Sequence, residues 1–385
     1  MSSKAYLIRV LAGAACLFLF ASCGTKKDET IRIGVGGPIT GGQAKMGADI
    51  LNGVNLAVEQ WNAKGGVLGK KIEVVARDDE ANPPTAKNIA YDLMNQNVVG
   101  VIGHFNSGCT RPASDVYKEM GVPMITPSST DPFVTDRKYF NVFRVCGRDD
   151  VQGPVAADYA IDVMKAKRIA ALHDKTSYGE GLANAFRKRV EARLGAEAFV
   201  YWGGFPDKES NFKPYLTAMA DKNPEAYFFG GIYNQAGPLV VQSKDMGIQA
   251  TFISGDGVID PVFLKTAGKC AEGSLLTFAD FSPTEPDFEK YPLAKPFVEG
   301  YRTKFQTPPG PYSVYAYDAA NILLAAIEKA GSTDGKTVSD AIRSMEHTTS
   351  LGKIHFDEKG DIKESFYVVW VVKDGKFVRA QTSAK

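Results

Sequence analysis

Downstream of residue 30 the chain switches repeatedly between two hydrophobic rhythms. Residues 31–36 are a short β-rich run that predicts a strand. Ile50, Val54, Ala57 or Val58, and Trp61 then recur at helical spacing up to Gly65-Gly66. Residues 71–77 predict a second strand, and Pro83-Pro84 marks the start of a second helix. Strands follow over 98–103 and 123–126, separated by a helix through Ala113, Val116 and Met120. Strand–helix–strand steps of this kind build a parallel sheet through right-handed crossovers. The first part of the chain therefore reads as a doubly wound α/β lobe.

A second series starts near Asp149, with strands over 168–173, 198–202, 226–230 and 251–254 and helices between them. A strong helix over 312–329 follows. The pattern then returns to strand over 353–356 and 365–372, and Lys373-Asp374-Gly375 turns the chain into 376–379. This order implies two lobes, with the chain crossing between them more than once. Ligands of doubly wound sheets bind beyond the carboxyl ends of the strands. Those ends read Gly36-Gly37-Pro38, His104-Phe105-Asn106-Ser107-Gly108, Pro127-Ser128-Ser129-Thr130, Tyr178-Gly179 and Gly255-Asp256-Gly257. Two facing lobes would gather these Gly-, Ser-, Thr- and Asp-rich loops around one cleft.

The first 23 residues have a different character. Lys4 and Arg9 precede an apolar run over 10–20, too short to span a bilayer permanently and suited to a signal-peptide core. It ends in Phe20-Ala21-Ser22-Cys23, which resembles a bacterial lipobox with Phe20 where Leu is preferred; Cys23 would then carry the lipid. An ordinary secretory signal cleaved after Ala21 or Ser22 is the alternative. Polar residues 24–30 read as a tether.

The remaining 360 or so residues exceed what one hydrophobic core usually serves, which again favours two domains. The 45 basic and 44 acidic residues are interspersed, with no basic stripe of the kind that binds nucleic acid. Beyond Cys23, the cysteines are Cys109, Cys146 and Cys270, an odd number compatible with one disulfide or none. None has metal-ligand spacing.

Enzyme motifs fail residue by residue. Gly34 and Gly36 begin a dinucleotide fingerprint, but Ile39 occupies its last position. Around 64–71, Lys64 and Lys71 stand where a P-loop requires Gly and Ser or Thr. No G-x-S-x-G elbow is present. His104 and His173 sit at strand ends near the expected cleft and read as structural histidines, with a hydrolase or amidase as the alternative.

Several segments together resemble the periplasmic leucine/isoleucine/valine-binding proteins of ABC importers, which have the type I periplasmic-binding fold. They include Trp61-Asn62-Ala63-Lys64-Gly65-Gly66, Thr110-Arg111-Pro112-Ala113-Ser114-Asp115 and His173-Asp174-Lys175-Thr176-Ser177-Tyr178-Gly179. The resemblance runs from Ile31 past Phe356-Asp357-Glu358-Lys359-Gly360-Asp361. It implies two lobes, 31–148 with 279–350 and 149–278 with 351–385, joined by three hinge crossings near 144–149, 277–281 and 350–353. It also implies capture without catalysis or a cofactor. The chain would be a monomer in the periplasm or at the cell surface, held to the membrane only by lipid, delivering a small amino acid to a permease and its ATPase subunits.

Carried onto this chain, the family's carboxylate-binding hydroxyls fall at Ser107, Ser128 and Thr130, with Ser129 beside them. Hydroxyl and amide donors at helix N-termini suit an anion, though N-capping is the ordinary use of such residues. Asp256 matches the carboxylate that meets the ligand's ammonium, where leucine-binding members carry Glu; a turn aspartate is the plain alternative. Tyr178 matches a tyrosine that caps the ligand on closure. Phe105, Met46 and Ile232 fall where the family lines the side-chain pocket, the last two replacing tyrosines. Their apolar character keeps a branched aliphatic side chain plausible. Ala81 and Asn106 stand where enteric members have a disulfide. A binder of an amide, urea or aromatic acid, and a sensory lipoprotein, are the competing functions.

Overall fold

The computed structural model describes residues 30–282, 286–364 and 366–381. The expected signal segment, Cys23 and most of the tether lie outside the described residues. No described helix is long and apolar enough to cross a membrane.

The first lobe is built on a parallel sheet of β1 (Ile31–Gly37), β2 (Ile72–Asp78), β3 (Val101–Gly103), β4 (Met124–Thr126) and β5 (Val142–Arg144), in the order β2-β1-β3-β4-β5. The second carries β6 (Ile169–His173), β7 (Phe199–Gly204), β8 (Ala226–Gly230), β9 (Thr251–Ser254) and β10 (Leu275–Phe278). A small separate hairpin, β11 (His347–Thr349) and β12 (Gly352–Ile354), precedes β13 (Val368–Lys373) and β14 (Lys376–Arg379). The second sheet runs β14-β13-β10-β9-β8-β6-β7, with β13 and β14 antiparallel at one edge. Strands β6 and β8 are buried along their whole length, as a parallel sheet covered on both faces requires. The two-lobed α/β architecture agrees with the expectation. The run expected over 353–356 is β12, paired only with β11, and β5 and β10 were absent from the pattern.

Each lobe is assembled from distant pieces. Helix Ala44–Ala63 of the first lobe packs against helix Ser313–Ala330. Gly53 permits that crossing, because a Cβ there would lie 2.3 Å from the Ser313 carbonyl oxygen. The chain leaves the first sheet after β5, and helix Asp149–Asp162 packs on helix Ser177–Leu194 of the second lobe. It leaves the second sheet after β10 and returns to it at β13. Before that last return, Asp361 still bridges to Arg144 at the end of β5. Arg144 is fully buried. Its Nε donates to Asp361 Oδ1 at 2.8 Å, and its Nη1 donates to the carbonyls of Ser129 (2.9 Å) and Asp131 (2.8 Å).

Candidate functional site

A cavity of about 370 Å³ lies between the lobes, at the carboxyl ends of both sheets. From the first lobe, helix Ser107–Glu119 presents its N-terminus, with Ser107 and Gly108 on the cavity wall. Cys109 and Thr110 donate their N–H groups to the Asn106 carbonyl, and the N–H groups of Ser107 and Gly108 have no acceptor among the described residues. From the second lobe, helix Ser177–Leu194 presents its own N-terminus, capped by Thr176, whose hydroxyl accepts from Gly179 N–H at 2.9 Å. The two helix ends nearly meet: a Cβ on Gly108 would sit 3.7 Å from Ser177 Oγ. Both ends carry partial positive charge, so the cavity between them favours an anionic group.

The second lobe supplies the opposite charge. Gly179 and Gly230 let the helix start press against the end of β8, since a Cβ on Gly230 would lie 1.9 Å from the Gly179 carbonyl oxygen. That approach brings Tyr178 to the Gly255-Asp256-Gly257 turn, where the small flanking residues admit its ring: a Cβ on Gly255 would lie 2.8 Å from the Tyr178 hydroxyl. Tyr178 donates to Asp256 Oδ1 at 2.7 Å and accepts from Gly257 N–H at 3.0 Å. Tyr312, entering from the first lobe, donates to Asp256 Oδ2 at 2.8 Å. Asp256 is 2% exposed, and its burial raises the carboxyl pKa even though the two tyrosine hydroxyls favour the charged form.

Of the expected ligand-binding residues, Phe105, Ser107, Ser128, Tyr178, Ile232 and Asp256 lie on the cavity wall. Ser129 lies behind it, where its hydroxyl bonds to Thr110 Oγ1 (2.6 Å) and to the carbonyls of His104 and Phe105 (both 3.1 Å). Thr130 is fully buried and off the wall, beside Asp149. Met46 is in the first-lobe core: helix Ala44–Ala63 begins two residues earlier and turns this side chain inward, and it is Gln43 that reaches the cavity.

Four neighbours escaped the sequence reading. Tyr312 is one. Asp174 lines the cavity with Oδ2 unpartnered, and burial pushes its carboxyl up to about 6. Asp149 is 1% exposed, with Thr130 beside it and no cationic partner among the described residues. Burial, and then the charge of Asp256, raise its pKa well above the ordinary range. Gln152 donates to the Thr277 carbonyl at 3.1 Å, while its own Oε1 is unpartnered. On the cavity wall itself Asp174 Oδ2 is a buried acceptor without a donor among the described residues, which is costly unless a donor-bearing group meets it.

The histidines take no part. His104 is buried between Asp79 Oδ2 (2.7 Å) and the Tyr117 hydroxyl (3.0 Å), and His173 Nδ1 accepts from Lys175 N–H at 3.2 Å. Cys109, Cys146 and Cys270 are free thiols. Among the described residues no group of His, Cys, Asp and Glu is arranged to hold a metal ion.

Two α/β lobes with a cavity between them, helix N-termini on one wall and a buried carboxylate on the other, define a solute-binding protein of the type I periplasmic-binding architecture. The periplasmic binding protein family profile matches residues 30–376, and the chain belongs to that family. An "amino acid binding protein" of Pseudomonas aeruginosa is 39% identical, over 98% of this chain and 99% of its own. "Leu/Ile/Val-binding protein homolog 2" of Brucella abortus is 38% identical, over 94% and 95%. Among solved structures, the branched-chain amino acid transporter substrate-binding protein LivJ from Streptococcus pneumoniae, in complex with isoleucine, is 28% identical. Its TM-score is 0.82, over 91% of this chain and 98% of that one.

Proposed function

We propose that this protein captures leucine, isoleucine or valine in the interlobe cleft and delivers it to an ABC permease, without chemistry of its own. The observation that carries this reading is the tyrosine-held Asp256 sharing one cavity with the unsatisfied N-terminus of helix Ser107–Glu119. Ser107, Ser128 and the amides of Ser107 and Gly108 take the ligand carboxylate. Asp256, with Tyr178 beside it, takes the ammonium, and Asp149 and Thr130 add acceptors behind it. Phe105 and Ile232 meet the side chain. A buried carboxylate without a cationic partner is expensive, and an α-amino acid supplies that partner. Names of the relatives above support the ligand class.

Closure follows the ligand's higher affinity for the closed arrangement, with the lobes pivoting on the three crossings. In this reading the Tyr233 hydroxyl, which donates across the cleft to the Gly42 carbonyl at 3.1 Å, is one of the contacts made on closing.

Calorimetric titration with the twenty amino acids tests the reading. Leucine, isoleucine and valine are expected to bind. Uptake of none of them, with tight uptake of an amide, a urea or an aromatic acid, would sink it. Ser107→Ala should weaken leucine about tenfold by removing one donor to the carboxylate, at ~1.4 kcal/mol. Anchoring through lipid on Cys23 has its own check. A fatty-acid label should enter the wild type and not Cys23→Ser; equal labelling of both disproves the anchor.

A further inference from the structure

Behind the wall formed by Asp256 and Tyr312 lies a second cavity, of about 270 Å³. All three crossings between the lobes contribute to it: Val145 to Gly147, Phe278 to Phe281, and Glu364, Phe366 and Tyr367 on the last return to the second sheet. Only Asp256 and Tyr312 line both cavities. We propose that this hinge-side cavity is a second binding site, specific for a small primary alkylammonium ion. The proposal goes beyond the amino-acid reading of the cleft and does not depend on it.

The wall chemistry selects the ligand class. Aromatic rings dominate: Phe278, Tyr291, Tyr312, Tyr315 and Tyr367. Phe278 meets Tyr312 and Tyr315 edge-to-face, at 5.8 Å and 6.3 Å between centroids. Rings of this kind attract a desolvated cation through their quadrupoles. Two buried carboxyls, Asp256 and Asp318, stand on the same wall, and neither forms an ion pair with any described residue. Asp256 accepts from tyrosine hydroxyls, and Asp318 from Ser350 N–H (3.0 Å) and the Ser350 hydroxyl (2.8 Å). Burial raises both, Asp318 to about 7, as expected for carboxyls with no cation at hand. Lys353 does not supply one, because it reaches Glu346 at 2.6 Å.

The Tyr367 hydroxyl is buried without a partner and could accept an ammonium N–H. An anion is disfavoured by the carboxyls, and among the described residues no cluster of ligands is arranged for a metal ion. Leu351, Ile354 and Ile362 leave apolar surface for a short alkyl chain. The volume falls just below the roughly 300–1,000 Å³ of sites for drug-sized molecules, so a few heavy atoms fit. Since the walls are the crossings themselves, an occupant would also bias the angle between the lobes.

The test is calorimetric titration of the purified full-length chain with n-butylammonium chloride, alone and with saturating leucine, and with 1-butanol as the uncharged control. One equivalent of butylammonium should bind, the alcohol at least about tenfold more weakly, and binding should persist with leucine present. Asp318→Asn and Tyr315→Leu, neither of which touches the cleft, should each weaken the amine about tenfold or more and leave leucine within about twofold. Thermal melts identify any variant that fails to fold, and the other then decides. No uptake of the amine, equal uptake of the alcohol, complete competition by leucine, or indifference of a folded variant overturns the proposal. Loss of leucine binding alone would overturn only the reading of the cleft, because the amine titration is also read without leucine.

Discussion

Alanine at position 256 should lower leucine affinity by at least a hundredfold, about 3 kcal/mol or more. Truncating one partner of a buried, hydrogen-bonded charge pair leaves the other unpaired in a dry site, at a cost of roughly 2–5 kcal/mol. Here the stranded group would be the ligand's ammonium. The same substitution also removes the acceptor of the Tyr178 and Tyr312 hydroxyls. Asp256→Asn separates the two effects: it keeps an acceptor for the tyrosines and removes the charge, so it should melt near the wild type yet still bind leucine poorly. Calorimetry on both variants checks this, and undiminished affinity in the asparagine variant would reduce Asp256 to a structural acceptor.

A pH trend follows from the same residue. Its carboxyl pKa is raised by burial in the free protein, and an ammonium beside it would draw that pKa down. Binding should therefore release a proton, and leucine affinity should rise with pH through the interval between the two values and fall on acidification.

The largest effect on stability should come from Arg144→Met. The guanidinium is fully buried and joins Asp361 to the carbonyls of Ser129 and Asp131 and to the Thr135 hydroxyl. Methionine fills part of the space and satisfies none of these acceptors. Breaking a buried pair from one side costs about 3–5 kcal/mol, which corresponds to a fall in melting temperature on the order of ten degrees. Asp361 would retain Arg148 at 2.7 Å, which places the loss toward the lower end of that range. Leucine affinity should fall too, because the residues released are those behind Ser128. A melting temperature within about two degrees of the wild type would show that the network is dispensable.

The main strands were legible because β-rich runs such as 31–36 and 226–230 are bounded by turn residues. β5 and β10 were not. Each is short, and Val142–Arg144 ends in an arginine that is buried only because its partner, Asp361, arrives 217 residues later. The resemblance supplied the Gly-Asp-Gly turn and the Ser107 helix start, both local features of the chain. It failed at Met46, where the exact first turn of a helix decides whether a side chain faces the cleft or the core. Asp149 was hidden for another reason. An acidic residue in the first turn of a helix is common for its favourable interaction with the dipole, and nothing nearby in the sequence distinguishes one that is also buried beside a second carboxyl. Tyr312 reaches Asp256 from 56 residues away, a closeness visible only once the lobes are assembled.

The crossing of helix Ala44–Ala63 by helix Ser313–Ala330 also governs when the chain can mature. Trp61 donates to Asn321 across 260 residues, so the early helix, which β1 and β2 cover on one side, lacks its largest packing partner until most of the protein has been synthesised. The second sheet waits as well, since β10 lacks its β13 neighbour until residues 368–373 emerge. Contacts so distant in sequence form slowly, and partly made intermediates expose surface that aggregates. A nascent chain built this way lacks these long-range partners until residues 368–373 have been made, so neither lobe can be complete before then.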